Sequence, residues 1–552
     1  MPAAPAAPAA PAAAKRVIVV GAGVGGLTAA LTLAAQGLDV LVLERSAQPG
    51  GKMREVSVAG AGMDAGPTVF TMRWVFEELF ESVGAQLGDW LTLQPASVLA
   101  RHAWGENDRL DLFADIARSA DAIGRFAGSA EARGYLAFCG RARRIYRTLE
   151  APFLRGTLPT PVSLATRVGW RGLPDLMRIS PMATMWGELG RYFADPRLRQ
   201  LFGRYATYCG SSPFQAPATL MLVAHVEQDG VWMVEGGMHR VALALAALAA
   251  RFGAQFRYGA HVEEIIVKNG RASGVRLADG EQIDASAVVF NGDVAALAAT
   301  KLGAAAARAV PRTEPIDRSL SAITWNLLAP AQGFPLLRHT VFFSDDYQAE
   351  FDSLFGQRQL PLSPTVYVCA QDRGDSDDAP TDSPRPERLM CLVNAPARGD
   401  GTPFSATELT RCEARTFETL ARCGLQIQRS PQTTTMTTPA DFERMFPATG
   451  GALYGQASHG WKASFSRPGS RSRLPGLYLA GGSTHPGPGV PMAALSGRLA
   501  SASLLADRHP SSLLADRHPS SLPADRPPMH PAPPPSTPPW PPAATPGGTS
   551  TP

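Results

Sequence analysis

The chain has little net charge and few cysteines. Its 552 residues include 52 Lys and Arg against 48 Asp and Glu, so the formal net charge is only +4. Such a small imbalance argues against a nucleic-acid-binding protein, although a mildly basic surface is compatible with contact to anionic lipid. The six cysteines form no C-x-x-C pair and no metal-ligand spacing, so we expect reduced thiols in a cytosolic protein, without disulfides or a metal site. They are Cys139, Cys209, Cys369, Cys391, Cys412 and Cys423.

Long apolar runs are also missing. The most apolar windows, 216–224 and 241–250, are far shorter than the roughly 20 residues that a membrane-spanning helix needs. The N-terminal segment 1–14 is rich in Pro and Ala and lacks the pattern of a secretory signal, so we expect a disordered arm. Over 502–552 an SLLADRHPS-like unit repeats and gives way to Pro-rich sequence, which cannot bury a core and predicts a disordered tail.

A glycine-rich turn near the start of the chain carries the first functional signal. Val17–Val20 is a β-branched run typical of a buried parallel strand, and Gly21, Gly23 and Gly26 follow it in G-x-G-x-x-G register. The first glycine allows a tight turn, the second lets the backbone approach a pyrophosphate, and the third lets the next helix pack on the strand. Because the amides at that helix start face the phosphates, the pattern predicts a dinucleotide site.

A second apolar run, 40–43, ends in Glu44. A carboxylate at this position accepts hydrogen bonds from a ribose diol and disfavours a 2′-phosphate. Glycine-rich helix starts also arise for packing alone, so a lone G-x-G-x-x-G is a weak signal. The order strand, glycines, helix, strand and acid makes the nucleotide interpretation much stronger.

The segments 49–52 (PGGK) and 63–68 (MDAGPT) follow shortly after this acid. They resemble the flavin-dependent amine oxidase and carotenoid desaturase superfamily, in which a second glycine turn wraps the pyrophosphate of FAD. The resemblance implies that the cofactor is FAD. It also implies cofactor contacts from Gly51, Lys52 and Val262.

A second glycine turn lies near the other end of the chain. Residues 477–480 predict a buried strand, Gly481 and Gly482 turn sharply, and a helix opens within 489–494 with Pro near its first position. The start of that helix points positive amides at the N1/O2 edge of a flavin, which gains negative charge on reduction. We therefore place in the cofactor site Gly481, Gly482, Val490, Pro491 and Met492.

The run 477–497, LYLAGGSTHPGPGVPMAALSG, is similar to the signature of bacterial-type phytoene desaturases, and with the other motifs the resemblance extends over 15–501. Segments 64–76, 341–347 and 453–460 look more like the hydroxyneurosporene (methoxyneurosporene) desaturase branch. That branch introduces the C-3,4 double bond into 1-hydroxylated acyclic carotenoids on the way to spheroidene or spirilloxanthin in purple photosynthetic bacteria. The alternatives are a phytoene desaturase or another polyene desaturase or isomerase and, more distantly, a flavin amine oxidase.

The resemblance also implies the architecture. We expect an α/β fold in which a Rossmann-like FAD-binding lobe of the amine oxidase and phytoene desaturase type joins a mixed α+β substrate lobe. The FAD lobe is expected from 15–70, 234–303 and 475–501, and the substrate lobe from 71–233 and 304–474.

Desaturation of a carbon pair removes a hydride and a proton. No amino-acid side chain accepts a hydride, so that task falls to FAD. The proton leaves a carbon beside a polyene-stabilised cation, and a weak base or water is sufficient to accept it. His485, beside the predicted flavin, is the first candidate for a catalytic base and His239 the second. The alternative role for His485 is to hold the glycine-rich turn by a backbone hydrogen bond.

The implied substrate is a long, lipophilic acyclic carotenoid, which we expect in a tunnel of apolar and aromatic side chains. Quinone or oxygen is expected to reoxidise the flavin. Because carotenoids reside in bilayers, we expect a cytoplasmic protein that is peripherally associated with the inner membrane.

A cluster of Trp, Met and Arg within 167–192 has two interpretations. It is either core packing with solvated arginines, which we favour, or an amphipathic surface in a membrane interface. Its members are Trp170, Met177, Arg178, Met182, Met185 and Trp186.

Overall fold

The computed structural model describes residues 16–180, 182–312, 314–374 and 383–508. The arm expected over 1–14 and the part of the tail beyond Arg508 lie outside the described residues. The side chain of Trp170 is also outside the description.

The described chain begins with a strand–helix–strand unit, and further strands and helices follow in mixed order. The strands are β1 (Val17–Val20), β2 (Val40–Glu44), β3 (Glu55–Val58), β4 (Ala61–Asp64), β5 (Phe70–Thr71), β6 (Leu93–Pro95), β7 (Val98–Ala103), β8 (Arg109–Phe113), β9 (Val231–Val234), β10 (Gln255–Tyr258), β11 (Val262–Lys268), β12 (Arg271–Leu277), β13 (Gln282–Asp284), β14 (Ala287–Phe290), β15 (Ser321–Gln332), β16 (His339–Phe342), β17 (Val366–Ala370), β18 (Ser383–Ala395), β19 (Gln426–Ile427), β20 (Thr434–Thr437) and β21 (Leu477–Leu479).

A run of helices separates β8 from β9, and a long helix closes the described chain. The helices are α1 (Val24–Ala35), α2 (Arg73–Glu81), α3 (Ile116–Ala127), α4 (Ser129–Leu149), α5 (Pro161–Arg178), α6 (Met185–Leu189), α7 (Pro196–Gly203), α8 (Leu222–Gln228), α9 (His239–Arg251), α10 (Val294–Ala298), α11 (Tyr347–Phe351), α12 (Ala406–Arg422), α13 (Pro439–Met445), α14 (Ala463–Ser466) and α15 (Val490–Arg508).

A parallel sheet with the order β10-β2-β1-β14-β21 forms the nucleotide-binding core. Its central strand β1 is buried along its whole length, because helices cover one face of the sheet and the three-stranded sheet β11-β12-β13 with α10 covers the other. On one face α1 packs between α9 and α15. The approach of α15 is close: a Cβ added to Gly497 would collide with the carbonyl oxygen of Gly25. The three helices thereby bring distant parts of the chain together on one face of the sheet.

A second sheet, with the order β19-β15-β18-β17-β16-β7-β8 and β20 paired to β15, carries the opposite side of the molecule. Its pairs are antiparallel except β16 with β7. The helices α3 to α8 pack beside it around an aromatic core that includes Phe138, Phe193 and Phe202. One face of β16 and β17 is turned towards the large cavity described below.

The C-terminal boundary expected at 502 is wrong, because α15 continues to Arg508. Ser503 and Leu504 are buried, and the carboxylate of Asp507 accepts hydrogen bonds from Arg471 and Tyr478. The first Ser-Leu-Leu-Ala-Asp-Arg unit therefore packs as the end of a core helix. Its Leu and Ala residues favour helix, and the repeat in the sequence concealed this.

Two truncations test the packing of the end of α15. Removing 509–552 should leave the free energy of unfolding and the FAD content unchanged, since the Pro-rich composition cannot bury a core. Ending the chain at Ala502 also removes Leu504, and we expect a loss of about 2–5 kcal/mol in urea unfolding. Equal stability of the two truncated proteins would contradict the packing of α15.

Candidate active site

One cavity of about 1460 Å³ runs from the glycine turn after β1 to the helical part of the chain. Of the predicted site residues, Gly26 and His485 do not line it. His239 and the other predicted cofactor residues do: Gly21, Gly23, Glu44, Gly51, Lys52, Val262, Gly481, Gly482, Val490, Pro491 and Met492.

The first glycine turn is a backbone cradle. Gly21 has a φ of +98°, which suits glycine, and α1 begins three residues later. A Cβ added to Gly26 would overlap the carbonyl oxygen of Gly21, so only glycine lets α1 pack this close to β1. Gly23 pairs with Gly50 of the PGGK segment, and Gly51 approaches Gly23 so closely that its Cβ would lie 3.3 Å from the Gly23 Cα. The wall offered to a pyrophosphate is therefore free of side chains.

Asn291, directly after β14, holds this turn from the side. Its Oδ1 accepts a hydrogen bond from the Gly26 amide at 2.6 Å, and its Nδ2 donates to the carbonyl of Ala480 at 3.3 Å. Sequence reasoning gave this residue no role. The available signal was its position immediately after a buried strand that lies between β1 and β21.

Glu44 ends β2 and is 7% exposed. One carboxylate oxygen accepts from the Ala22 amide at 2.7 Å and the other from the Ser46 amide at 2.8 Å. Each oxygen keeps a further lone pair, and the side chain lines the cavity beside the glycine turn. This placement fits the predicted contact with a ribose diol.

The second glycine turn lies next to the first. Gly481 follows β21 with a φ of +116°, and its amide donates to Ser496 Oγ of α15 at 2.7 Å. The start of α15, from Val490 to Met492, lines the same cavity. The positive end of a 19-residue helix is thus available to an electron-rich ring edge. Together with the side-chain-free cradle, this arrangement fits an FAD.

Two buried cations stand beside these turns. Lys52 Nζ donates to the carbonyl of Leu453 at 2.7 Å, and Arg467 donates to the carbonyls of Tyr454 at 3.0 Å and Gly482 at 3.2 Å. Burial lowers the pKa of both groups. Within the described ranges neither of them forms an ion pair, and the Asp293 carboxylate in the same cavity wall partly offsets the effect of burial on both pKa values. Arg467 was missed at the sequence level, where nothing distinguishes it from other arginines.

Beyond the glycine turns the cavity is mainly apolar. Thr68 interrupts this wall with a short polar chain: its Oγ1 lies 2.7 Å from the Tyr367 hydroxyl, which lies 2.7 Å from Nδ1 of His339. The apolar lining includes Leu99, Leu149, Phe153, Leu154, Leu164, Leu176, Ile179, Leu220, Leu222, Val223 and Val226.

Comparison with known proteins identifies the family. Residues 186–505 match the model of the flavin-containing amine oxidoreductases, and residues 19–82 match an NAD(P)-binding Rossmann-like domain. Hydroxyneurosporene desaturase of Rubrivivax gelatinosus is 60% identical over 89% of this chain and 93% of its own length. The enzyme of the same name from Cereibacter sphaeroides is 45% identical over 89% and 98%. The chain belongs to the carotenoid desaturases of the flavin-containing amine oxidoreductase family.

More distant relatives and solved structures agree with this assignment. A zeta-carotene-forming phytoene desaturase of Myxococcus xanthus is 32% identical over 90% of this chain and 95% of its own length. Putrescine oxidase bound to putrescine has a TM-score of 0.53 at 15% identity, covering 89% of this chain and 99% of that chain. An oxidoreductase from Methanosarcina mazei has a TM-score of 0.55 at 15% identity over the same shares. At such identity the structures show the fold alone.

These findings confirm the expected α/β fold with a Rossmann-like FAD lobe, the FAD cofactor and an oxidoreductase acting on carotenoid CH–CH groups. The cavity of this carotenoid desaturase therefore has a cofactor end, at the two glycine turns, and an apolar end for the substrate.

The two candidate bases are placed differently. His485 lies outside the cavity wall: its Nε2 donates to the carbonyl of Gly156 at 2.9 Å, and its ring meets Phe153 edge-on at 4.9 Å. Burial lowers its pKa to about 4. His239 lines the cavity and donates from Nε2 to the carbonyl of Pro49 at 2.8 Å. The contact of His485 matches its alternative role of holding the turn through a backbone carbonyl, while His239 faces the cavity, and the assignment of a base stays a prediction.

Replacing Glu44 by Ala should weaken FAD binding. The change leaves two amides without their acceptor and removes the acceptors for the ribose, so the FAD dissociation constant should rise about 10- to 100-fold. Fluorescence titration of the apoprotein with FAD measures it. The control is Glu81→Ala, which removes an exposed glutamate at the end of α2. Unchanged FAD affinity in Glu44→Ala would remove this residue from the cofactor site.

The buried ring of His485 makes stability depend on pH. The folded ring binds a proton only near pH 4, whereas the unfolded ring does so near 6.5, so the unfolded chain binds more protons between these values. The free energy of unfolding should therefore fall as the pH falls from about 6.5 to about 4. In His485→Gln, whose amide can still donate to Gly156, the fall should be smaller by up to about 3 kcal/mol. Identical pH profiles in urea unfolding would refute this.

Proposed function

We propose that the protein is an FAD-dependent desaturase that introduces the C-3,4 double bond into 1-hydroxylated or 1-methoxylated acyclic carotenoids. The observation that carries the proposal is the 60% identity to a hydroxyneurosporene desaturase over 89% of the chain. The continuous cavity, which joins the glycine turns to a long apolar wall, supports a rod-like substrate.

FAD, when bound, accepts the hydride that leaves the carbon chain. The residues of this chain bind and orient the two molecules. The start of α15, Lys52 and Arg467 would supply positive charge to the edge of a bound flavin, which becomes more negative on reduction. The apolar wall excludes water and aligns the polyene. His239 is the candidate proton acceptor at the cavity, and His485 positions the turn.

We propose the same division into two lobes that the sequence predicts. The FAD lobe comprises 15–70, 234–303 and 475–501, and the substrate lobe comprises 71–233 and 304–474. This division is supported by the sheet order, in which strands of all three FAD segments pair with one another.

The membrane contact is proposed at the segment 161–182. Val162, Met177 and Met182 are 75%, 74% and 71% exposed, and Met177 and Met182 also line the cavity, as do Leu164, Leu176 and Ile179 of the same segment. The cluster of Trp, Met and Arg within 167–192 therefore has an exposed part and a packed part. In the packed part Met185 is buried and Trp186 packs on Phe214. No helix in the described ranges is both long and apolar enough to cross a bilayer.

An arginine-rich face adjoins this segment. Exposed arginines of α4 and α5 share a surface depression, and they would attract anionic lipid headgroups. We propose that the protein docks here on the cytoplasmic face of the inner membrane, that the carotenoid enters from the bilayer, and that quinone or oxygen reoxidises the flavin. The exposed arginines are Arg143, Arg144, Arg147 and Arg167, whereas Arg141 in the same depression is largely buried against Glu188.

The substrate is tested by supplying the protein with either 1-hydroxyneurosporene or phytoene and separating the pigments by chromatography. We expect desaturation of the hydroxylated carotenoid at C-3,4 and almost none of phytoene, since a matched polar pocket discriminates better than an extra methylene. Efficient conversion of phytoene with no action on the hydroxylated substrate would overturn the proposed specificity while leaving a carotenoid desaturase.

The membrane contact is tested with the double variant Met177→Glu, Met182→Glu. Two carboxylates in the proposed interface should reduce co-sedimentation with phosphatidylglycerol-containing vesicles several-fold, through lost apolar burial and repulsion. Leu362→Glu is the matched control, because Leu362 is also 71% exposed but lies outside the segment. Equal vesicle binding of the double variant and the control would place the contact elsewhere.

A further inference from the structure

A buried polar cluster interrupts the apolar end of the cavity. Glu227, on α8, is 8% exposed, and its two carboxylate oxygens accept hydrogen bonds from the hydroxyls of Tyr205 and Tyr208, each at 2.6 Å. The guanidinium of Arg204 lies 5.2 Å from the ring centroid of Tyr208 and 6.0 Å from that of Tyr205. A carboxylate and a guanidinium are thus held together in a wall that is otherwise built for hydrocarbon.

Only part of this cluster faces the cavity. Arg204, Tyr208 and Glu227 line it, whereas Tyr205 lies behind them in the aromatic core. The Nε atom of Arg204 is buried and has no hydrogen-bond partner among the described residues. A buried N–H group beside apolar side chains favours a ligand that brings an acceptor.

The cluster is balanced in charge. The positive Arg204 and the negative Glu227 offset each other, so the wall suits a neutral polar group better than an ion. Burial raises the pKa of Tyr208, which therefore keeps its proton and donates to the carboxylate. An alcohol matches such a wall, because it accepts one hydrogen bond and donates another.

The cluster also lies on the route to the cofactor end. Tyr208 and Tyr367 line the same cavity, and the Tyr367 hydroxyl lies 2.7 Å from Thr68 Oγ1. Thr68 follows Gly66, whose Cβ would collide with the carbonyl oxygen of Lys52. A subsite for the terminal oxygen has to lie close to the reacting carbons, because C-1 of the substrate is separated from C-3 by a single carbon. The Tyr367 hydroxyl already forms hydrogen bonds with both Thr68 and His339. Little of its hydrogen-bonding capacity is therefore left for a ligand, and we do not include it in the cluster.

We propose that Arg204, Tyr208 and Glu227 form the subsite for the terminal oxygen of the carotenoid, with the hydroxyl accepting from Arg204 and donating to the Glu227 carboxylate. This inference rests on the proposed function and adds the residues that give it specificity. A methyl ether at the same position can accept from Arg204 but cannot donate to Glu227. The subsite therefore favours the hydroxylated over the methoxylated substrate.

The test compares dissociation constants of the FAD-loaded protein for 1-hydroxyneurosporene and neurosporene, measured by the change in flavin absorbance. The two ligands differ by the addition of water across the terminal double bond, which places the hydroxyl at C-1. The wild type should bind the hydroxylated compound at least about 10-fold more tightly, and Arg204→Met should bring the two constants within about twofold. A wild type without preference, or an Arg204→Met variant that keeps it, would overturn the subsite.

Two tyrosine variants control for folding. Tyr208→Phe and Tyr205→Phe each remove one hydrogen bond of equal length to Glu227, but only Tyr208 lines the cavity. Tyr208→Phe should reduce the preference about three- to tenfold, while Tyr205→Phe should leave it unchanged. An equal loss of preference in both variants would show that Tyr208 has only a structural role. If Arg204→Met fails to load FAD, these two variants still test the subsite. Failure of the proposed function is distinct: the wild type would then leave hydroxylated carotenoids unconverted in the pigment assay.

Discussion

The side chain of Asn291 joins the two glycine turns on which the site depends. It accepts from the Gly26 amide and donates to the Ala480 carbonyl, and thereby fixes the start of α1 against the end of β21. These partners are far apart in sequence, and they meet because β14 lies between β1 and β21 in the parallel sheet. Loss of the amide side chain would leave the Gly26 N–H unpaired at a cost of about 1–3 kcal/mol. The cofactor cradle therefore depends on strand order as well as on glycine.

The cavity combines two environments that serve opposite ends of one reaction. Near Gly482 the start of α15 and the buried cations Lys52 and Arg467 favour negative charge. Away from the glycine turns, aliphatic side chains provide burial for a polyene, and one neutral polar cluster around Glu227 interrupts them. Since both environments line one cavity, a carotenoid can lie with its reacting end at the flavin and its remaining length in the apolar wall.

Much of the cofactor end was predictable from the sequence, because its determinants are local. Gly21 and Gly481 have the positive φ values that their turns require, and Glu44 ends its strand beside the first turn. The turn residues that depend on long-range packing were not predictable. Asn291 and Arg467 acquire their roles only when distant parts of the chain meet. Asn291 has one local signal, its place directly after the buried strand β14, whereas nothing in the local sequence marks Arg467.

The substrate end shows the same limit. The cluster in which Tyr208 contacts both Arg204 and Glu227 depends on the packing of α8 against the turn that follows α7, which no local pattern encodes. His485 was chosen as a base for its place in a motif, whereas its ring packs on Phe153 behind the wall. The boundary at 502 failed because a repeated unit was treated as uniform, although its first copy completes α15.

The central claim is that FAD and a hydroxylated carotenoid react directly within one cavity. Anaerobic stopped-flow mixing of the FAD-loaded protein with 1-hydroxyneurosporene, in the absence of quinone and oxygen, tests it most directly. The account predicts that the flavin absorbance bleaches in a single turnover, in step with the appearance of the extended polyene chromophore. A product that forms without flavin bleaching, or an oxidised flavin that persists beside bound substrate, would contradict it.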